Sequence, residues 1–457
     1  MKVSMSTRTV SWIVAAITLL SLFLNSILLS RQPVSLDDFH VALSAINFTE
    51  SGQLGPTMWN HPCLRNILVY GFLRLFGTGV LGVKGVSLLL GTLCTPLMAL
   101  VARRIFRDER IALIAAMLWA VDPLVIDFSR QGINDIYLAF FPLLGIYLAY
   151  RFRESHNSAW LLGSGVSFGM GLASKWSALF PLTVTILLLF IAIRKGPGGM
   201  RDRIARYGHL FALLLVVPAL IYLLTFAPWF GRGYSMAEWP ALQRSMFLET
   251  SQHTGYKQKL WDDSDNRAWK WFIVPSVFVD PFMNLDPPWG DDQGITTPDQ
   301  HVTVVLGVAN PLVWLLTFPA LFFLLRRALR DRDEGCRYLA GLFILSYLPL
   351  VVSPRPIWLN TALSVLPYAI LAVAGLVWSL AGRFKRQQLA VAAYLILVLL
   401  VAAPLYLLAM GAGMKIPVMK DYLAQRYLQQ FRQKMPEGGV MGMPGGSTAP
   451  PPQHSTR

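Results

Sequence analysis

Charge is scarce in this chain. Asp, Glu, Lys and Arg make up 14% of its 457 residues, while 54% are hydrophobic. Soluble globular domains carry about a quarter charged residues, so this scarcity, with a mean hydropathy of +0.48, excludes water as the main solvent. Cysteine is rarer still, with only Cys63, Cys94 and Cys336. The topology derived below scatters them over the outer face, a span and the cytoplasmic face, which excludes a disulfide or a thiolate metal site. The chain also lacks any repeat of fixed period and any Gly-rich loop after a strand pattern, so no soluble nucleotide-binding domain is expected.

What is present is apolar sequence in long runs. About 20 helical residues cross the roughly 30 Å of bilayer hydrocarbon, and runs of that order lie near 10–29, 82–102, 111–126, 136–151, 159–174, 177–193, 208–227, 303–325, 337–352, 358–380 and 388–411. The first follows Lys2 and Arg8 and is not followed by a small-residue cleavage site, so it reads as a retained span. The expected fold is all-α and integral to the membrane, with about eleven transmembrane helices.

Basic residues outnumber acidic ones, 40 to 25, for a formal net charge of +15. They cluster between apolar runs: Arg103, Arg104, Arg107 and Arg110; Arg151 and Arg153; Arg194, Lys195, Arg201, Arg203 and Arg206; Arg326, Arg327, Arg330 and Arg332; Arg383, Lys385 and Arg386. With the N-terminus in the cytoplasm, alternation places every one of these clusters on the cytoplasmic face, as the positive-inside rule requires. This is a topology signal rather than a nucleic-acid patch. The chain is expected in a prokaryotic plasma (inner) membrane, with the active site and C-terminus outside.

The same alternation sends outward the segments 30–81, 127–135, 228–302 and 353–357. The 228–302 loop carries Trp229, Trp239, Trp261, Trp269, Trp271 and Trp289 among about ten acidic residues, which suggests short helices lying in the membrane interface, as in the first outer loop. Residues 1–411 form one transmembrane domain. The tail over 412–457 begins amphipathic, with Tyr422, Leu423, Tyr427, Leu428 and Phe431 on one side, and ends in a compositionally disordered stretch.

Candidate chemistry gathers in the outer segments. Asp37 and Asp38 open an expected interfacial helix, where they can act as a base, as metal ligands or simply as a helix cap. His61 and Arg65 bracket Pro62 in WNHPCLRN, placed to face an anionic headgroup or merely solvated. Arg130 and Asp135 lie where the chain re-enters the membrane, either functional or paired with each other. Lys175 sits in a short outer turn after Gly169 and Gly171, suited to lipid phosphate or to snorkelling. Arg355 is the only basic residue of its outer turn and is stiffened by Pro354 and Pro356.

Together these stretches resemble the protein O-mannosyltransferases and their bacterial relatives, which include the aminoarabinose transferases: lipid-carrier-dependent glycosyltransferases of the C-type membrane fold. The matches are LDDFH, HPCLR, the S-R-x-x-x-x-D-x-x-L-x-F-F stretch from Ser129, GLASKWSALF and GVANPLVWLL. Relatives show Asp-Glu where this chain has Asp37-Asp38, and commonly HPP, a small residue and Lys where it has Cys63, Leu64 and Arg65. The resemblance implies transfer of a sugar from a polyprenyl-phosphate donor to a protein hydroxyl, lipid A or a surface glycan, on the outer face and with inversion. It implies Asp37 as catalytic carboxylate, Asp38 as supporting acid and Asp135 as a second-loop acid near the reaction centre. Arg130, Lys175, His61, Arg65 and Arg355 would bind the leaving polyprenyl phosphate. No cofactor is certain; a divalent metal, held by Asp37 and Asp135, stays open. The β-trefoil carried by eukaryotic members has no counterpart here. A transporter or lipid flippase using Asp37, Asp135 and Lys175 as an ion path is the alternative, disfavoured because the charges gather at one face.

Overall fold

A computed structural model describes residues 6–31, 36–55, 59–252, 267–273, 277–282, 303–353, 357 and 359–410. Arg355 and the tail over 412–457 lie outside these residues. The chain opens with α1 (Thr7–Ser26), followed by α2 (Leu36–Ser51) and α3 (Leu64–Phe76). Next come α4 (Val80–Phe106), α5 (Glu109–Ala120), α6 (Pro123–Ser129), α7 (Asp135–Ser155), α8 (Ser158–Leu172) and α9 (Leu179–Lys195). A π-helical turn joins α10 (Met200–Phe211) to α11 (Val217–Leu224). Next come α12 (Ala227–Gly231), α13 (Trp239–Gln252) and two paired antiparallel strands, β1 (Val277–Phe282) and β2 (Thr303–Val308), with Val277 opposite Val308. The chain then forms α14 (Pro311–Trp314), α15 (Thr317–Arg330), α16 (Glu334–Val351), α17 (Leu366–Ala381) and α18 (Gln387–Ala409).

Short polar side chains start the helices where apolar runs begin. Asp108, Asp122, Asn157, Asn310 and Asp333 accept hydrogen bonds from the first-turn amides of α5, α6, α8, α14 and α16, satisfying donors that no helical carbonyl can reach. Asp122 and Asn310 are each followed by a proline at the first helical position, where its missing N–H costs nothing.

Two expected spans are thereby corrected. The run 111–126 is not one straight helix: Asp122 and Pro123 start a new one, and α5 and α6 meet at 60°. The run 303–325 begins in β2 rather than in a helix, since a β-branched stretch up to Val308 pairs with β1 before Asn310 caps α14. Among the described residues, seven helical stretches are long and apolar enough to cross a membrane, or eight if α5 and α6 form one broken span. The other expected runs coincide with α8 and α17, at 15 and 16 residues, and with α16, which opens with Glu334 and Arg337.

α4 lies at the centre, packed against α1, α3, α5 and α7, while α17 is wedged among α5, α15 and α16. α4 and α7 are buried over most of their surface, whereas α1 and α18 expose residues such as Trp12, Leu19, Ile396 and Leu400, as helices facing lipid do.

One close approach depends on missing side chains. α8 meets α10–α11 through Gly165 and Gly169, a small-xxx-small spacing that lets helix backbones touch. A Cβ on Gly165 would overlap the Leu213 carbonyl oxygen, and one on Gly169 would lie 2.7 Å from Ile221 Cβ. Gly165→Leu should therefore destabilise the bundle by about 1–3 kcal/mol and lower its thermal midpoint in detergent. Gly208→Ala, where nothing lies within 4 Å, should not. Equal midpoints for the two variants would contradict this packing.

Candidate functional site

Four segments distant in sequence converge at the ends of α4, α7 and α9 that lie away from the arginine clusters. The hub is the turn Ala173–Ser174–Lys175 between α8 and α9. The Leu64 amide donates to Ala173 O (3.0 Å), and Asn134 Nδ2 donates to Ser174 O (2.8 Å). Lys175 Nζ lies 2.6 Å from Asp135 Oδ1, and Asn360 Nδ2 donates to Asp135 Oδ2 (3.0 Å). The HPCLR, RQGIND, ASK and LNT stretches thus form one cluster. Asp135 is also the first residue of α7, where the amide dipoles favour a carboxylate. Its side chain is 3% exposed and that of Lys175 is 19% exposed, so of the pair it is Lys175 that reaches the surface.

A second ion pair braces this cluster from below. Asp38 and Lys84 are both fully buried, with Lys84 Nζ 3.1 Å from Asp38 Oδ2. The Gly132 amide donates to Asp38 Oδ1 (2.6 Å). A Cβ on Gly132 would sit 3.1 Å from that oxygen, so glycine allows the loop to lie against the carboxylate. One side chain of α2 is thereby tied to α4 and to the 130–135 loop. Asp37 is the second residue of α2; its side chain lies outside the described residues.

The expected residues separate by environment. Asp38 is one half of a buried ion pair. Asp135 pairs with Lys175 and not with Arg130. Arg130, expected at the donor phosphate, is buried, and its Nη1 donates to Ile27 O (2.7 Å) and Asn25 O (3.1 Å) at the end of α1, closing the orphan carbonyls there. Arg65, also expected at the phosphate, is buried with its guanidinium on Asn66 Oδ1 (3.0 Å). His61 is half-buried. On α2, burial lowers the pKa of His40 and favours its neutral imidazole. Burial pushes the Cys63 thiol up, against the pull of nearby Arg65, so Cys63 is a packed, unreactive thiol.

Lys84 and Asn360 were missed by the sequence analysis. The signal for Lys84 was present, a cation within an apolar run, but the run absorbed it. Nothing in LNTALS marks Asn360. The Asn-Pro-x-x-Trp stretch proves to be structural: Asn310 caps α14, its Nδ2 also donates to Val398 O (3.0 Å), and Trp314 Nε1 donates to Asp122 Oδ2 (3.3 Å).

Residues 53–232 match the family model of the dolichyl-phosphate-mannose-protein mannosyltransferases. A polyprenol-phosphate-mannose–protein mannosyltransferase of Mycolicibacterium smegmatis is 24% identical over 356 residues, covering 66% of this chain and 67% of that protein. The protein of the same description from Corynebacterium glutamicum is 24% identical over 398 residues, covering 71% and 73%. Among solved structures, the S. cerevisiae protein O-mannosyltransferase Pmt1-Pmt2 complex bound to the sugar donor superposes with a TM-score of 0.64 at 13% identity, covering 94% of this chain and 96% of that one. ArnT from Cupriavidus metallidurans bound to undecaprenyl phosphate gives a TM-score of 0.55 at 15% identity, covering 95% and 82%. The fold is that of the C-type membrane glycosyltransferases, and the resemblance drawn from the loop motifs is borne out.

The buried brace makes a specific energetic prediction. Lys84→Met leaves the Asp38 carboxylate buried with its charge uncompensated and should cost roughly 3–5 kcal/mol. Lys84→Met with Asp38→Leu removes both charges and should recover most of that loss. The check is denaturation of the purified variants in detergent; a double variant as unstable as Lys84→Met alone would rule out the pair as the cause.

Proposed function

We propose that this chain is a membrane glycosyltransferase that moves a sugar from a polyprenyl-phosphate donor to a protein hydroxyl, with inversion at the anomeric carbon. The relatives' names point to mannose as the sugar. The observation that carries the reading is the convergence of HPCLR, RQGIND and ASK on one partly exposed Asp135–Lys175 pair. All three stretches fall within the residues that match the mannosyltransferase family model. The basic clusters at the opposite helix ends support an outward-facing site, in a plasma membrane whose cytoplasmic side holds those clusters and the N-terminus.

In this reading the donor lies with its isoprenoid chain in the outer leaflet and its phosphate at Lys175, with Arg355 as a second cation for it. The acceptor hydroxyl attacks the anomeric carbon from the face opposite the phosphate. Asp37 takes the hydroxyl proton as the new carbon–oxygen bond forms. The bond from the anomeric carbon to the phosphate oxygen breaks, and its electron pair leaves with the polyprenyl phosphate, whose growing charge Lys175 neutralises. Asp135 and Asn360 hold Lys175 in place, and Asp38 fixes the helix that carries Asp37. Arg130 and Arg65 act on loop geometry rather than on the phosphate, because their guanidinium groups are buried against carbonyls and Asn66. The half-buried His61 lines the same approach.

No step of this reading uses a metal. A divalent cation needs several oxygen ligands, and both oxygens of Asp135 are already bonded to Lys175 and Asn360. Among the described residues no group of three or more His, Cys, Asp or Glu is gathered.

The test is transfer of labelled mannose from polyprenyl-phosphate mannose to a Ser/Thr-rich peptide by the purified enzyme. Asp37→Asn should lower the rate by roughly 10²–10⁴, the usual contribution of a positioned base. Lys175→Gln should slow it too, because the leaving phosphate loses its cation. Wild-type rates in Asp37→Asn would remove it as the base; no transfer by the wild type would count against a protein acceptor.

A further inference from the structure

The other end of the molecule carries a feature that the transfer reaction does not use. α7 begins at Asp135 and ends beyond Arg153, so about 27 Å of helix separates the two. Beside Arg153 lies a cavity of about 540 Å³, enclosed by the last turns of α4 and α7 and the first turn of α5. Four arginines line it, Arg103, Arg104, Arg107 and Arg153, with only two carboxylates, Glu109 and Glu154.

The pairing within the cavity is incomplete. Arg103 Nε lies 2.7 Å from Glu109, Arg104 pairs with Glu154, and Arg153 turns to Glu334, 2.5 Å away on α16. Arg107 is exposed and has no acidic partner among the described residues. Its backbone is left-handed, with φ of 54°, and its amide closes α4 on Arg103 O (2.9 Å). The α4 terminus therefore holds an unpaired guanidinium at the mouth of the cavity. Two residues from Arg153 and three from Arg107 in sequence, Arg151 stacks over Trp160 (4.6 Å) and Arg110 over Trp378 (5.2 Å).

Depth decides what such a site meets. Apart from Lys84, which is buried against Asp38, α4 is apolar from Val80 to Val101 and carries clustered basic residues only in its last turns, which sets Arg103, Arg104 and Arg107 at headgroup level when the helix spans the bilayer. A planar guanidinium binds a phosphate oxygen pair by two parallel hydrogen bonds, and basic pockets between helices at a membrane surface select anionic headgroups. We propose that this cavity is a binding site for the phosphate of an anionic phospholipid of the leaflet facing the basic loops, with Arg107 as its anchoring residue. The site is independent of the transfer reaction.

The experiment uses the full-length protein in phosphatidylcholine nanodiscs with and without phosphatidylglycerol, and reads retention of a fluorescent phosphatidylglycerol. Arg107→Gln should weaken retention roughly tenfold, the loss of one charge-assisted contact, and Arg107→Lys should fall between it and wild type. Arg194→Gln, which removes an exposed charge from the same face outside the cavity, should change nothing. Arg107 is exposed, so an unchanged thermal midpoint in phosphatidylcholine alone is expected for each variant. Equal loss in Arg107→Gln and Arg194→Gln would overturn the site in favour of general surface charge. Displacement of the lipid by millimolar inorganic phosphate would overturn the lipid assignment in favour of a free anion.

Discussion

The Asp38–Lys84 pair is the constraint on which the end of this protein that holds the candidate site is built. Two opposite charges with no access to solvent persist only if each compensates the other and their remaining hydrogen-bonding capacity is met. Here Lys84 meets one carboxylate oxygen and the Gly132 amide meets the other. Because Asp38 comes from α2, Lys84 from α4 and Gly132 from the loop before α7, satisfying one carboxylate sets the relative position of three segments. A hydrophobic contact in the same place would resist separation but would tolerate sliding. The ion pair and the amide bond admit one register.

The candidate site inherits that register. The loop held by Asp38 at Gly132 continues through Asn134, bonded to the α8–α9 turn, into Asp135, bonded to Lys175 and Asn360. Asp37 precedes Asp38 directly on α2. The acid assigned as base and the lysine assigned to the phosphate are thus placed by a single continuous chain of polar contacts, on rigid helix ends rather than on free loops. Such placement suits a reaction whose rate depends on holding acceptor, sugar and leaving phosphate in line. Arg130, whose Nη1 donates to carbonyls at the end of α1, extends the same chain to the first helix.

How much of this could be read from the sequence differed with the physics involved. Apolar runs and arginine clusters are averages over many residues, so the all-α membrane fold was legible from them. Turn chemistry is local, yet Asp122-Pro123 and Asn310-Pro311 were passed over inside apolar runs, and so the bend between α5 and α6 and the strand before α14 were missed. The acids and cations at the edges of the apolar runs stood out because charge is rare along those runs, and Asp135 and Lys175 do meet. Which cation meets which acid was not legible. Arg130 and Asp135 are near in sequence and do not pair, while Asp38 and Lys84, far apart in sequence, do. Pairing across the fold is a tertiary property, and the composition of a loop does not contain it.

The molecule thus presents two ends, one holding the Asp38–Lys84 and Asp135–Lys175 pairs and the other the clustered arginines, and the proposed function requires the first to face out of the cell. The turn between α3 and α4 at the first end and the end of α7 at the arginine end both offer exposed positions, Thr78 and Ser155, while all three native cysteines are buried. Side-specific labelling of Thr78→Cys and Ser155→Cys with a membrane-impermeant thiol reagent on intact cells or spheroplasts tests that requirement most directly. Labelling of Thr78→Cys from outside, with Ser155→Cys reached only after permeabilisation, is the predicted result. The reverse pattern would place Asp135 and Lys175 in the cytoplasm and contradict the account.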